Sequence, residues 1–403
     1  MPWRTTCPMD ERLGFIAECL RDEDSMSTVC RRYGISRKTG YKLLARYAAE
    51  GVEGLRDRSR APQHQALAMS VAVEARVVRL RGSHPRWGPR KLHAWLASHA
   101  PAQHWPAPST IGALLQRQGL TIPRRRHPRR PALPARLGLA LEPNEIWSAD
   151  FKGWFRTRDG ARCTPFTLSD HASRFLLRCQ VVAAPDEGHV RPLFEAAFRE
   201  YGLPGAVRTD NGPPFASTAA AGLSRLAVWW IKLGIQPERI RPGHPEENAR
   251  HERMHLTLEQ ETAQPPQATG RAQQRRLDEF RHVFNYKRPH EALGQRPPAA
   301  VYQPSPRPYP ERLPELTYPA AEVIRRVRHN GEIKWRGHSV FVSQCLAGEL
   351  IGMEELRDDC WRVCFGPVVL GWFDTRAAQR APRRQGRRPH SLSIPKLLPM
   401  CPV

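Results

Sequence analysis

One stretch divides this chain before any element is assigned. Residues 123–136 hold six arginines, four prolines and no acidic residue. Such a segment has little apolar surface to bury, and its prolines break helices and sheet ladders. It can follow a phosphate backbone. The hydrophobic patterns on its two sides also differ. Helical periodicity precedes it, and short strand-like runs follow it. With 403 residues and 39 prolines, the chain reads as multidomain.

Net charge narrows the partner. Lys and Arg number 63 against 39 Asp and Glu, a net +24. That excess disfavours a generic small-molecule enzyme and favours a polyanion, of which nucleic acid is the usual one. No run approaches the roughly 18 apolar residues of a membrane span. Met1-Pro2-Trp3-Arg4 opens no signal peptide. The nine cysteines form no CxxC pair. These features lead us to expect a cytoplasmic, DNA-associated protein with reduced thiols and no membrane partner.

Before the divide, residues 10–48 read as three short helices. Leu13, Ile16, Ala17 and Leu20 mark one face of the first. The second runs from about Ser27 to Tyr33, Gly34 ends it and Ile35 plugs the turn. Ser36 is a good N-cap for a third helix through Tyr47. Two helices about a tight Gly-containing turn make a helix-turn-helix. The tip of its second helix, Ser36, Arg37, Lys38, Thr39, Tyr41 and Lys42, offers the polar and basic groups that meet bases and phosphates. A second, less regular helix-turn-helix is expected over 70–122, and Arg124, Arg125 and Arg126 in the linker are expected on DNA.

After the divide, β-rich runs at 146–155, 164–169 and 174–182 precede a helix ending near Tyr201. A strand at Ala206–Thr209, a helix with Leu226 and Trp230, a strand near Ile240 and a polar helix after Pro245 follow. The order βββαβαβα gives a mixed sheet with helices packed on it. Pro-rich sequence at 297–319 separates this unit from short strands at 320–374, which suggest a small antiparallel barrel. The expected divisions are 1–60, 70–122, the linker 123–143, the core 144–296, the barrel 320–375 and a basic tail 376–403.

Three carboxylates stand out. Asp150 falls in the first strand, Asp210 ends the fourth, and Glu252 lies on the last helix. Acids on buried strands are costly unless paired or bound to metal. Oxygen donors suit Mg²⁺ or Mn²⁺ rather than zinc. In a strongly basic protein, carboxylates would repel DNA phosphates unless cations bridged them, and two ions can hold both oxygens of an in-line displacement. Taken singly, Asp150 could sit on an edge strand, and Asp210-Asn211-Gly212 is a common turn.

The same residues carry a resemblance. Trp147…Asp150-Phe151, Leu168…Asp170-His171…Ser173-Arg174, Thr209-Asp210-Asn211-Gly212…Phe215, His244-Pro245…Glu252-Arg253 and Tyr286…Arg288-Pro289-His290 occur in order. Over 144–290 the chain resembles the catalytic core of bacterial insertion-sequence transposases of the retroviral-integrase-like Asp-Asp-Glu superfamily. The resemblance implies a ribonuclease-H-like α/β core with Asp150, Asp210 and Glu252 as metal-binding catalytic triad. It implies a polynucleotidyl transferase that uses two Mg²⁺ or Mn²⁺ ions, binds double-stranded DNA at the element's terminal inverted repeats, and cleaves and joins strands as a homo-oligomer. No Walker-type GxxxxGK[ST] is present, so ATP is not expected. A DNA-binding regulator on an inactive core is the alternative. A simple nuclease would not need two helix-turn-helix units.

Two positions depart from the family pattern. Glu259 stands where relatives often carry Lys or Arg, and residues 246–249 read Glu-Glu-Asn-Ala. Counting alone favours Glu246 as the third acid, with 35 residues between it and Asp210 against 41 for Glu252. Pro245 sets Glu246 and Glu247 in a first turn, where acids complement the helix dipole. Glu252 lies about two turns in, between Ala249 and Leu256, and that face is expected to lie on the sheet.

Overall fold

A computed structural model of the chain describes residues 7–58, 69–121, 140–217, 219–241, 244–319, 322–357, 359–374 and 390–391. Arg124, Arg125 and Arg126, and most of the basic tail, lie outside these residues. The chain forms two compact units, Met1–Met69 and Ser70–Val403.

In the first unit, α1 (Pro8–Arg21), α2 (Met26–Arg32) and α3 (Arg37–Glu50) enclose Phe15, Ile16, Val29, Cys30 and Leu55. Gly34 takes φ +64° in the turn, a conformation that costs glycine nothing. The Ser36 hydroxyl then accepts the Thr39 N–H and caps α3. Leu20 departs from the expected apolar face: it is 61% exposed, and Phe15 takes the core place beside Ile16.

In the second unit, α4 (Val71–Ser83), α5 (Pro89–His99) and α6 (Pro108–Arg117) pack around Val77, Leu92, Leu96, Ile111 and Leu114. The buried Arg81 donates to the carbonyls of Trp87 and Leu120, tying α4 to both later turns. This helical group sits against the core. Arg90 pairs with Glu291 at 2.6 Å, and Lys91 donates to the Pro289 carbonyl.

The core sheet contains β1 (Ile146–Phe151), β2 (Phe155–Arg156), β3 (Arg162–Asp170), β4 (Leu176–Val182), β5 (Ala206–Thr209) and β6 (Gln236–Arg239). Its order is β4-β3-β1-β5-β6, with the short β2 on β3. The β1–β3 and β3–β4 pairs are antiparallel, whereas β1–β5 and β5–β6 are parallel. The sheet is mixed, as expected, although the first strand stops at Phe151 and resumes as β2.

Two-residue alternation divides the side chains between two helical layers. Trp147, Ala149, Phe166 and Leu168 face the core shared with α7 (Glu187–Tyr201) and α8 (Arg225–Lys232). On the other side, Leu176 and Cys179 pack with α9 (Ala249–Leu258) and α10 (Gly270–His282) through Met254, Leu258, Leu277 and Phe280. The entry to β1 is locked by polar contacts. Asp170 accepts the Asn144 N–H at 2.7 Å and the Ser173 N–H and hydroxyl, while Asn144 accepts from the Trp147 indole.

The Pro-rich segment is a docked strap rather than a spacer. Tyr302 stacks on Phe175 with centroids 4.4 Å apart, and Arg307 donates to the carbonyls of Pro204, Leu233 and Gly234. Beyond it, β7 (Val323–Arg326), β8 (Glu332–Trp335), β9 (His338–Phe341), β10 (Leu350–Arg357), β11 (Cys360–Phe365), β12 (Val368–Asp374) and β13 (His390–Ser391) form two sheets that are open among the described residues, where a closed barrel was expected. Their orders are β12-β11-β10-β7 and β13-β9-β8. Among the described residues no strand pairing links the two sheets, although a turn bond from the Arg328 N–H to the Glu332 carbonyl joins the end of β7 to β8. Side chains also join them, with Trp335 4.6 Å from Trp361. Lys232 pairs with Glu349 and holds this region to α8. No helix among the described residues is long and apolar enough to cross a membrane.

Gly40 allows the three N-terminal helices to approach. A Cβ there would lie 2.5 Å from Cys30 Sγ and 3.0 Å from the Phe15 ring. Alanine gains about 1 kcal/mol of helix propensity, but overpacking costs about 1–3 kcal/mol. Gly40→Ala is therefore expected to weaken this unit, seen as faster hydrogen exchange of α1–α3 amides. Unchanged or slower exchange would contradict the packing.

Candidate active site

The register of two strands builds the site. β1 and β5 run parallel with Trp147 opposite Val207 and Ser148 opposite Arg208. Two residues further along each chain stand Asp150 and Asp210, at the same end of the sheet. Asp210 is fixed by its own turn. The Gly212 N–H bonds to its carboxylate, and the Asn211 amide donates to the Ile240 carbonyl beyond β6 at 2.6 Å. The sequence Asp-Asn-Gly is thus both a turn and part of the site.

The electrostatics set these acids apart. Burial raises the Asp150 pKa to about 7, with Asp210 and then Glu252 adding repulsion, while the Phe151 N–H and Lys152 oppose the shift. Burial also raises Asp210, against the Gly212 hydrogen bond. Asp210 Oδ1 is buried with no hydrogen-bond partner among the described residues. A carboxylate oxygen in that state is costly unless a cation or proton meets it. Carboxylate oxygens such as these suit Mg²⁺ or Mn²⁺.

Helix α9 brings Glu252 to this edge in a register the sequence reading did not foresee. Ala249 and Leu256 are exposed, so they do not form the face on the sheet. The buried face carries His251, Met254, His255 and Leu258. Polar side chains are stable there because β3 offers hydroxyls. Thr167 Oγ1 lies 2.7 Å from His251 Nε2 and 2.6 Å from His255 Nε2, and Ser169 Oγ is 3.0 Å from His251 Nδ1. Thr167 is the cross-strand partner of Asp150. Glu252 therefore stands on the exposed side of the helix, beside the histidines rather than on the sheet.

Those histidines were missed as site residues. The signal was legible: His251-Glu252-Arg253-Met254-His255 has the H-E-x-x-H pattern of zinc-binding helices. Here the two Nε2 atoms converge on a threonine hydroxyl. Burial keeps both rings neutral by pushing their pKa values far down.

The other acids near the site are paired. Glu247 is buried, with one oxygen 2.7 Å from Arg241 Nε and the other accepting the Arg241 N–H. Glu259 Oε2 lies 3.1 Å from Lys152 Nζ. The Glu246 side chain lies outside the described residues. In the first unit Ser36, Arg37, Lys38, Thr39, Tyr41 and Lys42 are all exposed at the start of α3, although the Ser36 hydroxyl is engaged in capping.

The raised Asp150 pKa has a stability consequence. Below about pH 4 the group is protonated folded and unfolded and contributes nothing. From there to about pH 7 the unfolded chain ionises first, so stability falls as pH rises, and above that the loss is constant. In EDTA, Asp150→Asn should therefore gain melting temperature over wild type between about pH 5 and about pH 8, and Mg²⁺ should reverse the gain. A difference that does not change with pH would contradict this.

Comparison with known proteins places the chain. Residues 11–63 match the model of a helix-turn-helix domain and residues 39–115 that of a homeodomain-like domain. Residues 140–245 and 233–298 match two models of the integrase core domain. The uncharacterized 39.2 kDa protein of insertion element IS476 from Xanthomonas euvesicatoria is 32% identical over 230 residues, which are 57% of this chain and 64% of that one. The uncharacterized 31.7 kDa protein of insertion element IS407 from Burkholderia multivorans is 31% identical over 242 residues, 59% of this chain and 82% of that one. Among solved structures, the HTLV-2 integrase catalytic core is 15% identical with a TM-score of 0.32, covering 40% of this chain and 99% of that one. With helix-turn-helix domains ahead of an integrase core and insertion-element relatives of this extent, the chain belongs to the insertion-sequence transposases of the integrase-like superfamily.

Proposed function

We propose that this chain is an active transposase, and that Asp150, Asp210 and Glu252 hold the divalent cations for its chemistry. The observation that supports this reading is a buried Asp150 carboxylate that feels the charges of Asp210 and Glu252, beside a buried Asp210 oxygen with no hydrogen-bond partner among the described residues. A regulator on an inactive core has no use for so costly an arrangement. Bound there, divalent ions would neutralise the carboxylates and polarise the attacking and leaving oxygens of an in-line displacement.

The chain's own residues do the rest. The exposed basic tip of α3 binds the inverted repeats at the element ends, with the linker arginines following the phosphates. Asp150 and Asp210 fix one side of the reaction centre on a rigid sheet edge, and Glu252 closes it from α9. The Lys152–Glu259 pair sets a cation beside Asp150 while sparing DNA a free carboxylate. At the element end, water attacks the phosphodiester and a 3′-OH leaves. That 3′-OH then attacks a target phosphodiester, one target ester breaks as the new one forms, and a target 3′-OH is released. The number of ester bonds is unchanged in the second step, so no nucleotide need be hydrolysed. Two ends must be joined together, so the working form is a homo-oligomer on double-stranded DNA.

Variants should separate binding from chemistry. Asp150→Asn, Asp210→Asn and Glu252→Gln are each expected to abolish end cleavage and strand transfer on oligonucleotide element ends while keeping repeat binding. Replacing Arg37 and Lys38 together with alanine should show the opposite pattern, losing specific binding more than nonspecific binding. Glu246→Gln should stay within about tenfold of wild type, roughly 1.4 kcal/mol in barrier. Strand transfer that survives Glu252→Gln but not Glu246→Gln would move the third ligand.

A further inference from the structure

Two imidazoles beside the carboxylates have so far served only as anchors. One nitrogen from each of His251 and His255 and an Asp150 carboxylate oxygen lie within 4.8 Å of one another. The hydrogen positions follow from counting. The Thr167 hydroxyl touches the Asp150 carbonyl at 3.2 Å, His251 Nε2 at 2.7 Å and His255 Nε2 at 2.6 Å. A hydroxyl has one hydrogen and two lone pairs. All three contacts hold together only if Thr167 donates to the carbonyl and accepts from both Nε2–H groups.

Both rings are buried, and with the hydrogen on Nε2 the Nδ1 atoms are the ones left to act as donors to a cation. His251 Nδ1 accepts from Ser169 Oγ at 3.0 Å. His255 Nδ1 faces Asp150 Oδ2 across 3.8 Å. At that separation the two atoms are too far apart for a hydrogen bond and close enough to share one ion. Bonds of about 2.1 Å from one divalent ion to an imidazole nitrogen and to a carboxylate oxygen span about 4.2 Å end to end. One ion therefore fits that gap at a wide angle.

The geometry points to His255 as a nitrogen donor to the cation that Asp150 holds. This inference rests on Asp150 being a metal ligand, as proposed above, and adds a donor outside the three carboxylates. It also sets the class of ion. Imidazole favours Mn²⁺, Co²⁺ or Zn²⁺ over Mg²⁺, which prefers oxygen. His251 is a positioning residue: it shares the Thr167 hydroxyl with His255 and packs edge-on against that ring, with centroids 4.7 Å apart.

Pulsed electron paramagnetic resonance of Mn²⁺ on the full-length protein reads nitrogen ligation directly. Wild type should show modulation from an imidazole nitrogen, and protein made with histidine carrying the heavier nitrogen isotope should show the isotope's altered pattern. Both samples use the native sequence, so neither depends on a variant folding. His255→Gln should lose the modulation and bind Mn²⁺ at least about tenfold more weakly, with a smaller loss for Mg²⁺. Mn²⁺ that binds stoichiometrically and is lost in Asp150→Asn, yet shows no imidazole modulation, would overturn the inference and leave the carboxylate centre standing. Failure of wild type to bind Mn²⁺ at all would remove that centre and the inference with it.

Discussion

The parallel pairing of β1 with β5 is the constraint on which the site depends. It brings two aspartates to one end of a buried sheet, where burial and mutual repulsion hold Asp150 near neutrality, at about 7. The fold carries this cost with rigid support. Asp170 and Asn144 lock the start of β1, Asn211 ties the Asp210 turn to the end of β6, and Thr167 bridges β3 to α9. Each support fixes a backbone or an anchor, and none supplies a positive charge to the carboxylates themselves. Lys152 offsets the Asp150 shift only in part, and it is shared with Glu259. A proton on Asp150 or a bound cation would relieve the pocket.

Much of this was legible in the sequence. The three N-terminal helices follow from local signals: apolar spacing, a glycine in the turn and a serine cap, all of which act within a few residues. The core strands were legible because their apolar runs are bounded by turn residues. Asp150 and Asp210 stood out because acids in such strands are unusual. Register on α9 was legible only in the His251…His255 spacing, which apolar periodicity overlooks. Sequence periodicity treats His251 and His255 as polar and therefore solvent-facing, and takes Leu256 as buried. Tertiary context reverses this, since Thr167 and Ser169 pair with the imidazoles, whereas Leu256 lies outside the buried apolar cluster of Met254 and Leu258 and is 43% exposed.

The C-terminal region failed for a different reason. Closure of a barrel is a matter of pairing between strands far apart in sequence, and turn signals do not encode it. The hairpin at Arg336-Gly337 and the turn at Gly366-Pro367 join neighbouring strands, yet among the described residues β7 and β12 remain edges of one sheet and β8 an edge of the other. The Pro-rich strap was likewise legible in composition but not in placement. Its aromatic and arginine side chains find partners on the core that only the folded chain presents.

The most direct test of the central claim is an anomalous difference map from crystals of the protein soaked in Mn²⁺. The account predicts a peak within bonding distance of the Asp150 and Asp210 carboxylates, with Glu252 facing it, and loss of that peak in Asp210→Asn. A map at saturating Mn²⁺ with no peak at either aspartate would contradict it.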